Sequence, residues 1–386
     1  MRRFFLAMFF CCLGLDVGAN PNTLTNDQIE QARVFIGSQL ARQPNNRVLR
    51  FRYAQASYQA GHHEAAKYHL RHLMRTSQSA DELTQLQGAY GTVVADLPWS
   101  FGVNFSILPS TNINKTSSNE IFDTPIGRFL IAGGGDEESG VGLRFGGRLN
   151  YETALRSGAT LTYGLEVNRN QYPDDRLNRF DGTIRVTWGQ RSLQGHTQVS
   201  PYIRRYFYDE SVENNSTRHG VQISHEFYLT DQSSLTGAFT GERRDYDSLD
   251  YLDGNFFSTS LAYRGQLSER YRLTLGAAAS RSSPEQEHLR YTGASVWGEI
   301  SRSFQDFGEV GLNASIGMRH YDGVFPALDE ARSDSEASLG ISFRPQRIQV
   351  LGSTPKLSCR IQKNWSNVAL YDFQSTDCSV AFERTF

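Results

Sequence analysis

Outside the first apolar stretch, which holds Cys11 and Cys12, the chain has two cysteines, Cys359 and Cys378. Such a pair suits an oxidising compartment without requiring one. His69 and His72 stand three apart on one face of an expected helix, a spacing that suits a metal. Only Glu64 lies near enough to extend the ligand set, so these two, with His62 and His63, read as solvated helix surface, and no metal is expected. Ser224, His225 and Glu226 place a nucleophile, a base and an acid in a row. In a strand, however, neighbours point to opposite faces, and Ser224 shares its face with Glu226 rather than with His225. No nucleophile–base–orienter set forms. Gly133-Gly134-Gly135, beside Asp136-Glu137-Glu138, falls in a long loop where flexibility is its content, with no phosphate cradle. The sequence reads as that of a non-enzyme without cofactors.

Charge is the functional clue that remains. Arg144 and Arg148 alternate with Val141, Leu143, Phe145 and Leu149, and Glu166 lies between Leu165 and Val167. The same interleaving places Arg185, Arg204, Glu226, Arg264, Arg319, Arg344 and Arg360 on the face opposite an apolar one. In a dry soluble core these charges would be prohibitively costly. A wet lumen accepts them, either as pairs that hold a barrel wall together or as contacts to whatever passes.

The elements that carry these residues have a period of two. From Trp99 onward fourteen alternating segments follow one another, the first at 99–109 and the last at 376–386. Their connections alternate between short ones, such as Arg156-Ser157-Gly158, and long polar ones, such as 210–217 and 323–333. The last strand ends on Phe386, with Val380 and Phe382 on the same face. These features predict an all-β transmembrane antiparallel barrel of about 14 strands, occupying residues 99–386. An even number of strands puts both ends of the barrel on one side.

Before it, apolar residues recur at helical spacing: Ile29, Ala32, Phe35, Ile36 and Leu40, then Val48 to Tyr58, then Ala65 to Met74. Ser79 followed by Glu82 fits a capping box opening a fourth helix, with Glu82 reaching back to the Ser79 backbone. Tyr53-Ala54, Tyr58, Gly61, Ala65-Ala66 and Leu70 resemble one tetratricopeptide unit. Residues 20–98 are therefore expected to form a small helical, repeat-like domain on the periplasmic side. Arg2-Arg3, the run from Phe4 to Leu15 and Val17-Gly18-Ala19 describe a secretory signal peptide at 1–19. The chain is 39% hydrophobic and 21% charged with a net charge of −2, too balanced for a global attraction to nucleic acid.

Short motifs at strand ends resemble a known family. They are Pro98-Trp99-Ser100-Phe101, the segment Pro109-Ser110-Thr111-Asn112-Ile113-Asn114, Pro355-Lys356-Leu357, Trp365-Ser366-Asn367, Tyr371 and the terminal Phe386. Together they resemble the surface lipoprotein assembly modifier family, with Trp99, Asn112, Asn114, Trp365, Asn367 and Phe386 as its motif positions. The resemblance implies periplasmic helical repeats joined to a fourteen-stranded outer-membrane barrel. It also implies a role in moving lipoproteins, and some soluble proteins, to the cell surface. The expected partners are outer-membrane lipid, an exported protein substrate that is a lipoprotein, and the barrel-assembly machinery that inserts the chain. The alternative reading is a passive diffusion channel whose charged lumen sets solute preference.

Reflecting the last hairpin about Val368-Ala369 puts Cys359 opposite Cys378 and Leu357 opposite Val380, all on the outward face. Opposed residues have Cβ atoms about 4.5–5.5 Å apart, close to what a disulfide needs. A disulfide between Cys359 and Cys378 is predicted. A non-reduced digest of membrane protein prepared under thiol block should contain the joined peptides, and two blocked free thiols would contradict the register.

Overall fold

The computed structural model describes residues 25–386 apart from 118, 120, 126, 131–136, 327 and 351. The expected signal peptide at 1–19, Cys11, Cys12 and the loop glycines Gly133 to Gly135 lie outside the described residues. Between Leu97 and Pro98 the chain divides into two compact units.

The first unit holds four helices, α1 (Asn26–Arg42), α2 (Arg47–Gln59), α3 (His63–Arg75) and α4 (Ala80–Asp96). Each packs on the next. Thr25 and Gln28 form a complete capping box at the start of α1, satisfying two amides that the helix leaves open. At α4 the Ser79 hydroxyl does accept from the Glu82 amide at 3.2 Å. The return bond differs from the expected one: Glu82 Oε2 takes the Gln78 amide at 2.9 Å, and its other oxygen binds Arg47. The Arg47 guanidinium pulls the carboxylate away from the Ser79 backbone. Leu70, Leu73, Met74, Leu83, Leu86, Val93 and Val94 form the core, with Phe51 and Tyr58 at its edge. Lys67 is buried at its rim, its ammonium donating to Glu64 Oε1 at 3.0 Å and to the Leu97 carbonyl at 2.8 Å.

His69 departs from the solvated surface expected of it. Its ring meets Tyr53 edge-on at 4.8 Å and Tyr68 at 5.0 Å, and Arg50 Nη1 lies 3.2 Å from Nδ1. Burial, then the positive charges of Arg50 and His72, push the imidazole down to about 4. The helical period placed His69 on a face but could not say that two tyrosines would cover it.

The second unit is a sheet closed on itself. Its strands are β1 (Trp99–Ser110), β4 (Gly140–Ala154), β5 (Thr160–Gln171), β6 (Arg179–Arg191), β7 (Gly195–Tyr208), β8 (Ser216–Thr230), β9 (Ser233–Tyr246) and β10 (Gly254–Gln266). There follow β11 (Tyr271–Pro284), β12 (Tyr291–Phe304), β13 (Gly308–Val324), β14 (Ala331–Pro345), β15 (Lys356–Ser366) and β16 (Phe373–Thr385). A small hairpin, β2 (Ile121–Thr124) with β3 (Gly127–Leu130), sits in the loop after β1. Among the described residues, fourteen strands pair antiparallel in sequence order, and β1 closes the ring by pairing with both β4 and β16. The shortest barrel strand, β15, has 11 residues, enough to cross a bilayer when tilted, since about 9–11 suffice.

The outer surface decides the solvent. Ile184 is 64% exposed, Leu339 63% and Ile316 60%, and similar apolar side chains project from the strands all round the ring. A belt of that extent has no place in water. Lipid accepts it, and closing the ladder on itself removes the free sheet edges that hydrocarbon would not tolerate.

Strand β16 begins at Phe373, before the expected 376. The ladder continues past the apolar stretch because the long loops are stiff. Each of several carries a single 3-10 turn closed by a side chain: Asn178 Oδ1 accepts the Tyr172 amide at 2.6 Å, Asn215 Oδ1 that of Tyr208 at 2.7 Å, and Asp253 Oδ1 that of Tyr246 at 2.6 Å. The opposite connections are shorter, apart from 346–355 between β14 and β15. Gly158, at φ +80°, makes the turn between β4 and β5 possible in a way a side chain would oppose.

The seam between first and last strands is paired from Gly102 with Thr385 to Ile107 with Val380, and again at Ser110 with Asp377. The gap falls at Leu108 and Pro109, and proline has no amide hydrogen to give. At the other end Phe101 and Phe386 exchange backbone hydrogen bonds of 3.1 and 2.7 Å, and their rings stack at 6.1 Å. Deleting Phe386 removes both bonds, each worth about 1 kcal/mol. The truncated chain should convert from its compact to its unfolded gel form at a lower temperature than the parent, and equal conversion temperatures would contradict this closure.

Candidate functional site in the barrel lumen

Side chains alternate across every strand, so the apolar belt fixes the opposite face as the lumen. Arg144, Arg148, Glu166, Arg185, Arg204, Glu226, Arg264, Arg319, Arg344 and Arg360 all occupy that inner face. Several meet a neighbour on the next strand. Arg148 is the register partner of Glu166 and reaches Glu383 at 3.6 Å. Arg144 Nε donates to Asn170 Oδ1 at 2.8 Å, and Arg319 Nη2 to Glu336 Oε2 at 3.0 Å. Arg344 stands opposite Glu309, and Arg360 opposite Asp377. Glu226 lies opposite His196 and Thr236, and Arg264 opposite Ser234 and Thr274. Cross-strand pairs of opposite charge hold neighbouring strands in register.

Arg185 and Arg204 belong to something denser. On the loop half of β6, β7, β8 and β9 they are joined by Arg179, Arg218 and Arg244, with Tyr202 and Tyr206 between them. Tyr202 OH donates to Glu242 Oε2 at 2.7 Å, and Arg244 Nε donates to Glu242 Oε1 at 2.7 Å. Arg218 approaches the same carboxylate at 3.8 Å. Arg204 donates through Nε to Thr183 Oγ1 at 2.9 Å and through Nη1 to Tyr206 OH at 3.2 Å. Asp181, beside Arg179 at 3.7 Å, accepts from Asn168 Nδ2 at 3.2 Å. Glu242, Tyr202 and Tyr206 are buried within this wall.

The wall six strands round is different in kind. Across β12 to β15 the inner positions carry Ser295, Ser315, Ser338 and Ser358, with Glu336 and Arg360 set among them around a cavity of about 620 Å³. Ser315 and Ser338 share a hydrogen bond of 2.8 Å, as do Ser358 and Ser379 across the last hairpin. Small hydroxyls on one wall leave room for the long arginines on the other.

At the seam, side chains replace the ladder that Pro109 interrupts. Ser110 Oγ donates to Asp377 Oδ1 at 2.5 Å, and Lys115 Nζ reaches Asp377 Oδ2 at 2.6 Å and Ser375 Oγ at 2.7 Å. Asn112, fully buried, donates to the carbonyls of Thr116 and Gln374 at 2.8 and 3.1 Å and accepts the Thr116 amide at 3.0 Å. On the outer face Cys359 and Cys378 are direct register partners, with sulfurs 2.05 Å apart.

The family model for surface lipoprotein assembly modifiers matches residues 99–386, which is the whole barrel. The chain belongs to the surface lipoprotein assembly modifier family. Surface lipoprotein assembly modifier 1 of Haemophilus influenzae is 21% identical over 353 residues, covering 88% of this chain and 70% of its own. A surface lipoprotein assembly modifier of Moraxella catarrhalis is 21% identical over 360 residues, covering 90% and 68%. Among solved structures, an anion-selective porin from Comamonas acidovorans covers 75% of this chain and 98% of its own at 9% identity, with a TM-score of 0.41.

In this family member the motif residues sit at strand ends. Trp99 opens β1 with its ring 4.9 Å from Tyr151. Asn112 ties the first long loop to β16, and Asn114 follows it in the same loop. Asn367 accepts the Ser333 amide at 2.7 Å and donates to the Ala331 carbonyl at 2.9 Å, tying the last loop to the start of β14, while Trp365 faces outward. Sequence reasoning missed Arg179, Arg218, Arg244, Glu242 and both tyrosines. The signal was present: Arg179, Asp181, Thr183 and Arg185 occupy alternate positions of one strand, and Tyr202, Arg204 and Tyr206 those of the next. What the alternation lacked was the register that sets the two rows side by side.

Glu242 is the carboxylate that three of these groups share. Glu242→Gln leaves the half-buried Arg218 and Arg244 without their counter-charge, a loss of about 3 kcal/mol, whereas Tyr202→Phe removes one hydrogen bond worth about 1 kcal/mol. The temperature at which the compact gel form is lost should fall more for Glu242→Gln than for Tyr202→Phe. Equal temperatures in the two variants would contradict the network.

Proposed function

We propose that this chain is an outer-membrane barrel that assists the passage of an exported lipoprotein to the cell surface. The single observation that carries this is the family match along the whole closed barrel, from Trp99 to Phe386. The relatives' names speak of surface lipoproteins, and the lumen offers polar and charged walls along which a polypeptide can exchange its hydration. Residues 20–98 are taken as a periplasmic, tetratricopeptide-like unit. Chain direction supports that side: β1 begins, and β16 ends, at the end of the barrel that carries the tight turns, the periplasmic end in outer-membrane barrels. Outer-membrane lipid is the solvent of the apolar belt, and the barrel-assembly machinery is the proposed agent of insertion.

Deleting the gene and labelling intact cells for candidate lipoproteins tests this reading. At least one lipoprotein should lose surface label while its total amount stays unchanged, and the full chain supplied in trans should restore it. Undiminished surface label, with open-pore conductance by the purified protein in planar bilayers, would replace the proposal with a diffusion channel.

A further inference from the structure

We propose that the arginine wall of β6 to β9 is a binding site for an acidic, extended segment of the passenger protein. The identity of the passenger rests on the function proposed above; the site itself rests on geometry.

Five guanidiniums, of Arg179, Arg185, Arg204, Arg218 and Arg244, face the lumen among two carboxylates, Asp181 and Glu242. Glu242 is used up by Tyr202, Arg244 and Arg218. Among the described residues no carboxylate lies within 4.0 Å of Arg185 or Arg204, and Glu166, on the neighbouring β5, is the register partner of Arg148. Positive charge is therefore in excess on this wall. Two buried donors are also left over: Arg179 Nε and Arg218 Nε make no hydrogen bond. Buried donors without partners are rare. Both atoms are closed to solvent, so they add to the positive charge of the wall without themselves being points of contact for a ligand.

The aromatic rings explain why the charges can stand together empty. Each of the five guanidiniums lies over a ring: Arg244 over Phe256 at 4.0 Å, Arg218 over Tyr206 at 4.4 Å, Arg179 over Tyr206 at 5.0 Å, Arg185 over Tyr202 at 5.6 Å and Arg204 over Tyr202 at 5.7 Å. Stacking occupies the flat face of a guanidinium and leaves its edge, where the N–H groups lie, free to donate to a carboxylate in the same plane. The groups are held before any ligand arrives, so little side-chain freedom is lost on binding.

Spacing points to a peptide rather than a small ion. Arg179 and Arg185 are six residues apart on one strand, about 20 Å at a rise of about 3.3 Å per residue. Strands about 4.8 Å apart spread the row sideways over β7 to β9. A single carboxylate meets one or two of these groups. An extended chain with acidic residues at alternate positions presents a carboxylate about every 7 Å and can meet several of these groups at once, among them Arg204, Arg218 and Arg244, which stand side by side on adjacent strands. The serine-lined wall opposite leaves space for it.

The test uses the full-length purified barrel in detergent and a fluorescein-labelled decapeptide of alternating Glu and Ser, with Lys-Ser and Gln-Ser peptides as controls. The acidic peptide should bind more tightly than either control, and its affinity should fall as salt rises. Arg185→Gln with Arg204→Gln should weaken it about tenfold, with Arg185→Lys and Arg204→Lys in between. Both variants must keep the compact, heat-modifiable gel form; if the double Gln variant does not, Arg185→Gln alone carries the comparison. Equal binding of the three peptides, or unchanged binding in a folded Gln variant, would overturn the proposal. Competition by free glutamate or inorganic phosphate at the peptide's own concentration would reassign the wall to small anions and overturn it too. No exported protein enters this assay. A barrel that binds the acidic peptide but whose deletion leaves lipoprotein display intact keeps the site and loses the proposed function; lost display without peptide binding does the reverse.

Discussion

The pairing of β1 with β16 is the interaction on which the rest of the molecule depends. A sheet in hydrocarbon cannot have edges, because an unpaired amide or carbonyl there costs several kcal/mol. One register, Gly102 with Thr385 through Ile107 with Val380, turns a strip of fourteen strands into a wall without ends. It is an interrupted junction, broken where Pro109 has no hydrogen to give. The chain secures it at three heights. Phe386 closes it at one end by backbone bonds, Phe105 stacks on Phe382 at 6.2 Å in the middle, and Ser110, Asn112 and Lys115 fasten the other end onto β16. Cys378 stands on the outer face of β16, bonded to its other neighbour, so the last strand is tied on both sides.

Closure creates the second constraint, a lumen in which every inward side chain must find a polar partner or water. Much of the wall solves this locally, with arginine against acid or serine against serine on adjacent strands. The β6–β9 wall does not balance in that way. It concentrates arginines on tyrosines, with Glu242 as the shared anchor, and places the excess charge opposite the serine-lined cavity. Unbalanced positive charge thus gathers on one wall, while the charges beside the cavity, such as Arg319 and Glu336, are paired among serines.

How much of this is legible in the sequence follows from which physical rule sets each feature. Alternation with a period of two depends only on lipid outside and water inside, so the strands from Trp99 to Phe386 can be read directly, and with them the faces of Arg144 or Glu166. The loop that joins β15 to β16 is the six residues 367–372, and counting outward from Val368-Ala369 puts Cys359 opposite Cys378. Register across long loops is not local, and the Arg–Tyr wall emerges only when β6, β7, β8 and β9 are set side by side. The loop caps at Asn178, Asn215 and Asp253 were hidden for another reason: each looks like any polar loop residue until the tyrosine amide it closes upon is known. In the helical unit, the single-helix patterns located α1 to α4, while the diversion of Glu82 by Arg47 and the covering of His69 by Tyr53 and Tyr68 are contacts between helices.

The account turns on a barrel closed between its first and last strands, and one cross-link tests it. In a chain carrying Cys359→Ser and Cys378→Ser, the substitutions Ser106→Cys and Ala381→Cys place one thiol on each side of the seam, at residues that are direct register partners. Opposed Cβ atoms about 4.5–5.5 Å apart allow a bond on mild oxidation in native outer membranes. The predicted result is an intramolecular disulfide joining the peptides around 106 and 381 in a non-reduced digest. Two free thiols after oxidation, or cross-linking between separate chains, would contradict the closed barrel.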